Sequence, residues 1–102
     1  MLLRLFSEQT ETLDVGFGLD AVGLAVQRAD GPSVMALTRQ GVPAVRDDAS
    51  KNWCERGGYV LRPGKGADDI ILIGTGSETH LAVEAAEELE KDGISARVVS
   101  LP

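Results

Sequence analysis

The sequence predicts an α/β protein, partial in extent, with a parallel strand-helix-strand unit as its clearest part. Three observations carry that reading. Asp69-Ile-Ile-Leu-Ile-Gly74 is a near-continuous apolar run, the pattern of a parallel strand covered on both faces. From about Glu78 to Asp92, Leu81, Ala82, Ala85, Ala86 and Leu89 recur with helical spacing, and Glu84, Glu87, Glu88 and Lys91 form the wet side. Ala96-Arg-Val-Val-Ser-Leu101 reads as a second strand. Short loops join the three, so the crossover should be parallel and right-handed.

The remaining elements follow in chain order. Residues 1–18 show no clean period, and Val15-Gly-Phe-Gly18 breaks what pattern there is. This stretch is expected to be loosely ordered. Residues 19–29 look helical, with Leu19, Val22, Ala25 and Val26 on one face and Gly23 as a weak point. Asp30-Gly31-Pro32 stops that helix. Ser33 to Thr38 is a short buried strand, with Arg39 and Gln40 at its C-terminal end. Residues 41–57 interrupt every period and mark the best domain boundary, with Trp53 expected to dock on a neighbouring surface. Gly58 to Arg62 is strand-like and closes in the turn cluster Pro63-Gly64-Lys65-Gly66. Ser77 is a candidate N-cap, Glu87 and Lys91 an i,i+4 pair, and Gly93 a C′ residue.

Composition bounds the function. The chain has 102 residues, 43% hydrophobic and 25% charged, which argues against disorder and against a fibre. Ten basic and 16 acidic residues give a net charge of −6. That sign points away from nucleic acid and from an anionic membrane surface. The longest apolar run falls far short of the roughly 20 residues that cross a bilayer. The first six residues are too short for a signal-peptide core. The single cysteine, Cys54, cannot form an internal disulfide, which fits a reducing cytoplasm.

Candidate sites are few. One His and one Cys cannot build a Cys or Cys-His zinc site. His80 opens a helix with no ligand-spaced partner, so a structural or solvent-facing role is expected. Cys54 has no neighbour that marks an activated thiolate. Gly74-Thr-Gly-Ser-Glu-Thr79 follows a strand and opens a helix. A dinucleotide fingerprint would need a third glycine at Thr79 and an acidic residue after the next strand. Both are absent, so the segment reads as a tight turn. Arg39 stands where a buried strand ends. A guanidinium there could grip a phosphate by two parallel bonds, or could pair on the surface with Asp47 or Asp48. Pattern alone leaves both readings open.

Four segments together resemble transketolases. Asp30-Gly-Pro-Ser-Val-Met-Ala-Leu-Thr-Arg-Gln40 is similar to the family's DGP turn, strand and [Ser/Thr]-Arg-Gln. Arg56-Gly-Gly-Tyr-Val-Leu61 is similar to its ARGGYVL. Ile71-Leu-Ile-Gly-Thr-Gly-Ser-Glu-Thr-His-Leu-Ala-Val83 and Gly93-Ile-Ser-Ala-Arg-Val-Val-Ser-Leu-Pro102 match two further stretches. The resemblance covers about residues 19–102, in the right order and spacing.

The resemblance implies a homodimeric, three-domain α/β enzyme. Such an enzyme moves a two-carbon ketol unit between sugar phosphates, in the pentose phosphate pathway, using thiamine diphosphate with Mg or Ca. By the same resemblance, residues 1–56 are the tail of the pyrimidine-binding domain plus a linker, with 1–18 unmatched. Residues 57–102 begin the C-terminal domain, and Arg39 contacts the sugar phosphate. The domain that holds the diphosphate and the metal has no counterpart in these residues, nor have the catalytic glutamate and histidines. No catalytic, cofactor-binding or metal-binding residue is therefore expected here. The expectation is a truncated, cytoplasmic transketolase polypeptide, inactive alone. The alternatives are a non-catalytic small-anion-binding or regulatory module, with the anion at Gly74–Ser77, and a non-functional gene remnant. The unmatched start suggests a gene fragment, an upstream frame disruption or an alternative start.

Overall fold

Leu72 and Val98 set the architecture of the C-terminal half. The computed structural model describes residues 2–6, 15–38, 41–46 and 50–102. Five strands and two helices of more than one turn lie among them: β1 (Leu2–Phe6), α1 (Val15–Gln27), β2 (Val34–Thr38), β3 (Tyr59–Arg62), β4 (Ile70–Gly74), α2 (Thr79–Lys91) and β5 (Ala96–Ser100). One-turn 3-10 helices cover Trp53–Arg56 and Gly76–Glu78.

The larger sheet has the order β3-β5-β4. β4 and β5 are parallel, from Ile70 opposite Ala96 to Gly74 opposite Ser100. β3 joins the other side of β5 antiparallel, with a register shift between Val60 and Arg62. The parallel crossover expected from the apolar periods is thus present. α2 covers one face of this sheet. Ala86, Ala96 and Val98 are fully buried there, with Leu61, Leu72, Ala82, Val83 and Leu89 packed around them. Burying a valine such as Val98 stabilises the fold by about 2 kcal/mol.

The other face of that sheet is open, which corrects the expectation of a strand covered on both sides. Ile71 and Ile73 are 54% and 67% exposed. Val60 is exposed too. Register places Val60, Val99 and Ile73 side by side on this face. One helix can cover only one face, so half of the apolar signal in β4 meets no partner among the described residues.

α2 turns Ala82, Ala86 and Leu89 of the expected face to the sheet, but not all of that face. Its buried positions are Thr79 and Ala86, whereas Leu81 and Ala85 are exposed. Its start is uncapped by Ser77. That residue lies inside the 3-10 turn, which puts the N-cap at Glu78 with no side-chain bond. The expected Glu87–Lys91 pair is replaced. Lys91 reaches Glu88, and Glu87 meets Arg62 of β3. The end is as expected. Gly93 has φ +79°, its N–H donates to Glu90 O and that of Ile94 to Leu89 O. This is a Schellman closure, and only a left-handed residue completes it cheaply.

The N-terminal half forms a second, two-stranded sheet. β1 and β2 pair in parallel, Leu2 opposite Val34 through Phe6 opposite Thr38. α1 begins at Val15, four residues before the expected start, and ends at Gln27. Both facts correct the reading of residues 1–18 as irregular. The buried face of α1 centres on Ala21, with Leu24 and Ala25 packed against Ala21 and Cys54. Val22 and Val26, expected inside, are exposed. The small side chain of Ala21 lets the Cys54 turn approach closely, and that contact selects the face.

Candidate functional site

Arg39, the one sequence-derived site residue, lies outside the described residues. Its neighbours Thr38, at the end of β2, and Gly41, at the start of the connector, are described. Asp47 and Asp48, its alternative partners, are also outside.

The strand-to-helix turn after β4 is closed rather than cradle-like. Glu78 N–H donates to Thr75 O at 3.2 Å, and Leu101 N–H donates to Gly74 O at 2.9 Å. Gly76 takes φ +63°. A Cβ on Gly74 would stand 2.6 Å from Thr79 Cα and 3.3 Å from Thr79 N. The first helical turn therefore rests directly on the strand end. The glycines serve this packing.

His80 lines a groove of about 510 Å³. The connector contributes Pro43 and Val45, β3 contributes Leu61 and Arg62, and α2 contributes Val83 besides the histidine. Glu84 and Glu87 of α2 line it as well. His80 Nδ1 is shielded from solvent and makes no hydrogen bond among the described residues. The sequence signals nothing of this groove, because its walls come from three separated segments. Arg62 is occupied on its far side. Its Nη2 donates to Glu90 Oε2 at 2.8 Å, and Lys65 Nζ reaches the same oxygen at 2.9 Å. The Glu90 side chain is 5% exposed, so this three-way contact fastens β3 and the following turn to α2.

A second polar cluster lies at the junction of the two sheets. Arg46 Nη1 meets Asp20 Oδ2 at 3.0 Å. Asn52 Nδ2 donates to the Asp20 carbonyl at 3.0 Å. Tyr59 is buried, in a setting where Ser100 and Arg46 act on its phenol. Burial pushes the Tyr59 phenol above its ordinary 10.0, while the polar groups of Ser100 and Arg46 pull it partly back. Trp53 does dock on a neighbour, its ring centroid 6.2 Å from that of Tyr59. Lys51 and Arg56 lie over the Trp53 ring at 5.8 and 5.5 Å. Cys54 is buried against Ala21.

Among the described residues no three His, Cys, Asp or Glu side chains stand close enough to hold a metal ion together. No described helix is long and apolar enough to cross a membrane.

A parallel β-α-β crossover flanked by an antiparallel strand, beside a smaller parallel pair, defines a layered α/β polypeptide. Residues 57–102 match the model of the transketolase-like C-terminal domain. Transketolase 2 of Escherichia coli K12 is 48% identical over 85 residues, covering 80% of this chain and 13% of that protein. The transketolase of Halalkalibacterium halodurans is 43% identical over 81 residues, covering 78% of this chain and 12% of the relative. A Pichia stipitis transketolase solved with sedoheptulose 7-phosphate superposes with a TM-score of 0.76 at 35% identity. It covers 99% of this chain and 14% of its own. A split-gene transketolase described as an inactive beta4 tetramer gives a TM-score of 0.71 at 31% identity, covering 97% of this chain and 30% of its own. The chain belongs to the transketolase family. It spans about an eighth of the length of these two curated relatives.

Proposed function

We propose that this chain is a part of a transketolase that performs no ketol transfer alone. The observation that carries the reading is one of extent. The chain superposes almost whole on solved transketolases, yet accounts for 14% of the Pichia stipitis chain. In this reading residues 1–56 are the end of the pyrimidine-binding domain with its linker, and residues 57–102 open the C-terminal domain. The two separate cores, one at Ala21 and Cys54 and one at Val98, support that division. The split-gene relative, described as inactive in its tetramer, supports inactivity of a partial chain.

Within the whole assembly Arg39 would contact the substrate phosphate, as its [Ser/Thr]-Arg-Gln resemblance implies. Thiamine diphosphate and Mg or Ca would supply the carbanion chemistry of ketol transfer. Their ligands belong to parts of the family's fold that these residues do not match. The full enzyme would be a cytoplasmic homodimer acting on sugar phosphates of the pentose phosphate pathway. The anion-binding alternative at Gly74–Ser77 draws no support from the turn, which is packed against Thr79.

Calorimetric titration of the purified chain with thiamine diphosphate and Mg tests the reading. No saturable heat, and no turnover of a ketose phosphate, is expected. Saturable binding with turnover would refute it.

A further inference from the structure

β3 and β4 are consecutive strands of this half of the chain but are not adjacent in the sheet, because β5 lies between them. β3 runs antiparallel to β5, and β4 runs parallel to it. Residues 63–69, which join β3 to β4, therefore cross the end at which β5 begins. Two strand spacings come to roughly 10 Å, whereas a segment of this length can reach about 23 Å. A connection with that much slack would ordinarily be mobile. This one is fastened, and most of its fastenings meet at Ser95, the residue before β5. Ser95 N–H donates to Asp69 Oδ2 at 2.8 Å. Its carbonyl accepts the N–H groups of Asp69 at 2.9 Å and of Ile70 at 3.3 Å. Its Oγ accepts the Gly66 N–H at 3.2 Å. Arg97 Nη2 of β5 holds Asp68 Oδ2 at 2.6 Å, and Lys65 Nζ reaches Glu90 Oε2 of α2 at 2.9 Å. A Cβ on Gly64 would collide with Ser95 Oγ and Asp68 Oδ1, so the crossing backbone lies directly on the entrance to β5.

We propose that residues 63–69 form a strap over the entrance to β5, with the Asp69–Ser95 exchange as its clasp. The central strand then leaves the sheet from this end only when the clasp opens. The contacts differ in strength. A carboxylate that accepts a backbone N–H makes a charge-assisted bond, and Asp69 adds its own N–H to the Ser95 carbonyl. The Gly66 bond to Ser95 Oγ is neutral and exposed, so it is weaker. The Lys65 side chain is 75% exposed, so its ion pair is screened and contributes little. Asp69 is therefore the residue on which the strap depends. The other end of the β4–β5 ladder is held separately, by Leu101 N–H on Gly74 O at 2.9 Å, and serves as an internal reference.

Native-state amide hydrogen exchange on the full chain tests the proposal. Asp69→Ala removes the side-chain acceptor and keeps the backbone donors to the Ser95 carbonyl. It should speed exchange of the Gly66, Ile70 and Arg97 amides about tenfold, the scale of one lost charge-assisted bond. The Leu101 amide and those of α2 should keep their wild-type protection. Equal acceleration at Arg97, at Leu101 and in α2 would show that Asp69 adds only general stability, and would overturn the proposal. Acceleration of Gly66 with Arg97 unchanged would overturn it too, because the connection would then open without loosening β5. Should Asp69→Ala fail to fold, Ser95→Ala carries the test. It removes only the Oγ contact with Gly66 and should speed the same amides about threefold. A uniform effect in that variant, or none at Arg97, would equally defeat the assignment.

Discussion

Gly74 and Thr79 touch backbone to backbone: any Cβ at position 74 would come within 2.6 Å of Thr79 Cα. The strand and helix of the crossover meet at this point, and nothing flexible can move aside. Gly74→Ala should therefore destabilise the chain by about 3 kcal/mol, the upper range for overpacking. A urea titration followed by far-UV circular dichroism would show the lowered midpoint. A midpoint within error of wild type would mean that α2 can shift freely.

Gly23 is the opposite case. It lies inside α1, and a Cβ there would meet nothing within 4 Å. Gly23→Ala should stabilise the protein by about 0.5–1 kcal/mol, through higher helix propensity and a less mobile unfolded chain. The melting temperature should rise, and a fall would show an unrecognised neighbour.

Tyr59 makes stability depend on alkaline pH. Its folded-state pKa is raised above 10.0, first by burial. In the unfolded chain the phenol ionises at its ordinary value, while the folded phenol stays neutral to higher pH. Its contribution is fully present below pH 10 and is lost as pH rises from there toward the folded-state value. Chemical denaturation at a series of pH values should show a decline that Tyr59→Phe reduces. Parallel curves for the two proteins would assign the decline to other groups.

Glu90 joins Arg62 and Lys65 under α2, almost out of solvent. Glu90→Gln keeps the shape and removes the charge that Arg62 faces. A loss of about 1–3 kcal/mol is expected in denaturant unfolding. Lys65→Met should change stability by less than about 0.5 kcal/mol, because Lys65 is largely exposed and its pair is screened. Equal losses for both variants would contradict this ranking.

The crossover from β4 to β5 was legible because its cues are local and agree. The apolar run, the acidic outer side of α2 and Gly93 each specify one element. The faces were less legible. Leu81 has the spacing of a core residue but lies outside, because the sheet beneath α2 reaches Thr79, Ala82, Val83 and Ala86 instead. β1 was missed since its pairing with β2 joins residues about thirty positions apart, and no local alternation marks it. Cys54 and Arg46 were illegible as packing residues for the same reason: their partners lie on α1, across the connector. Arg39 was singled out by its place at a strand end and by the family motif. Its role rests on that sequence argument.

The order of the larger sheet has a kinetic consequence. β5 is the middle strand, yet it follows both of its neighbours in the chain. β3 and β4 have no contact with each other in the ladder, so neither can template the other. Every backbone pairing in that sheet waits for the stretch from Ala96 to Ser100. On a ribosome, Tyr59–Arg62 and Ile70–Gly74 would emerge as unpaired apolar segments and stay so until the last of these strands was released. Such non-local closure slows folding. It also exposes Ile71 and Ile73 to intermolecular pairing during synthesis, so the time spent before Ala96–Ser100 emerges sets the window for misassembly.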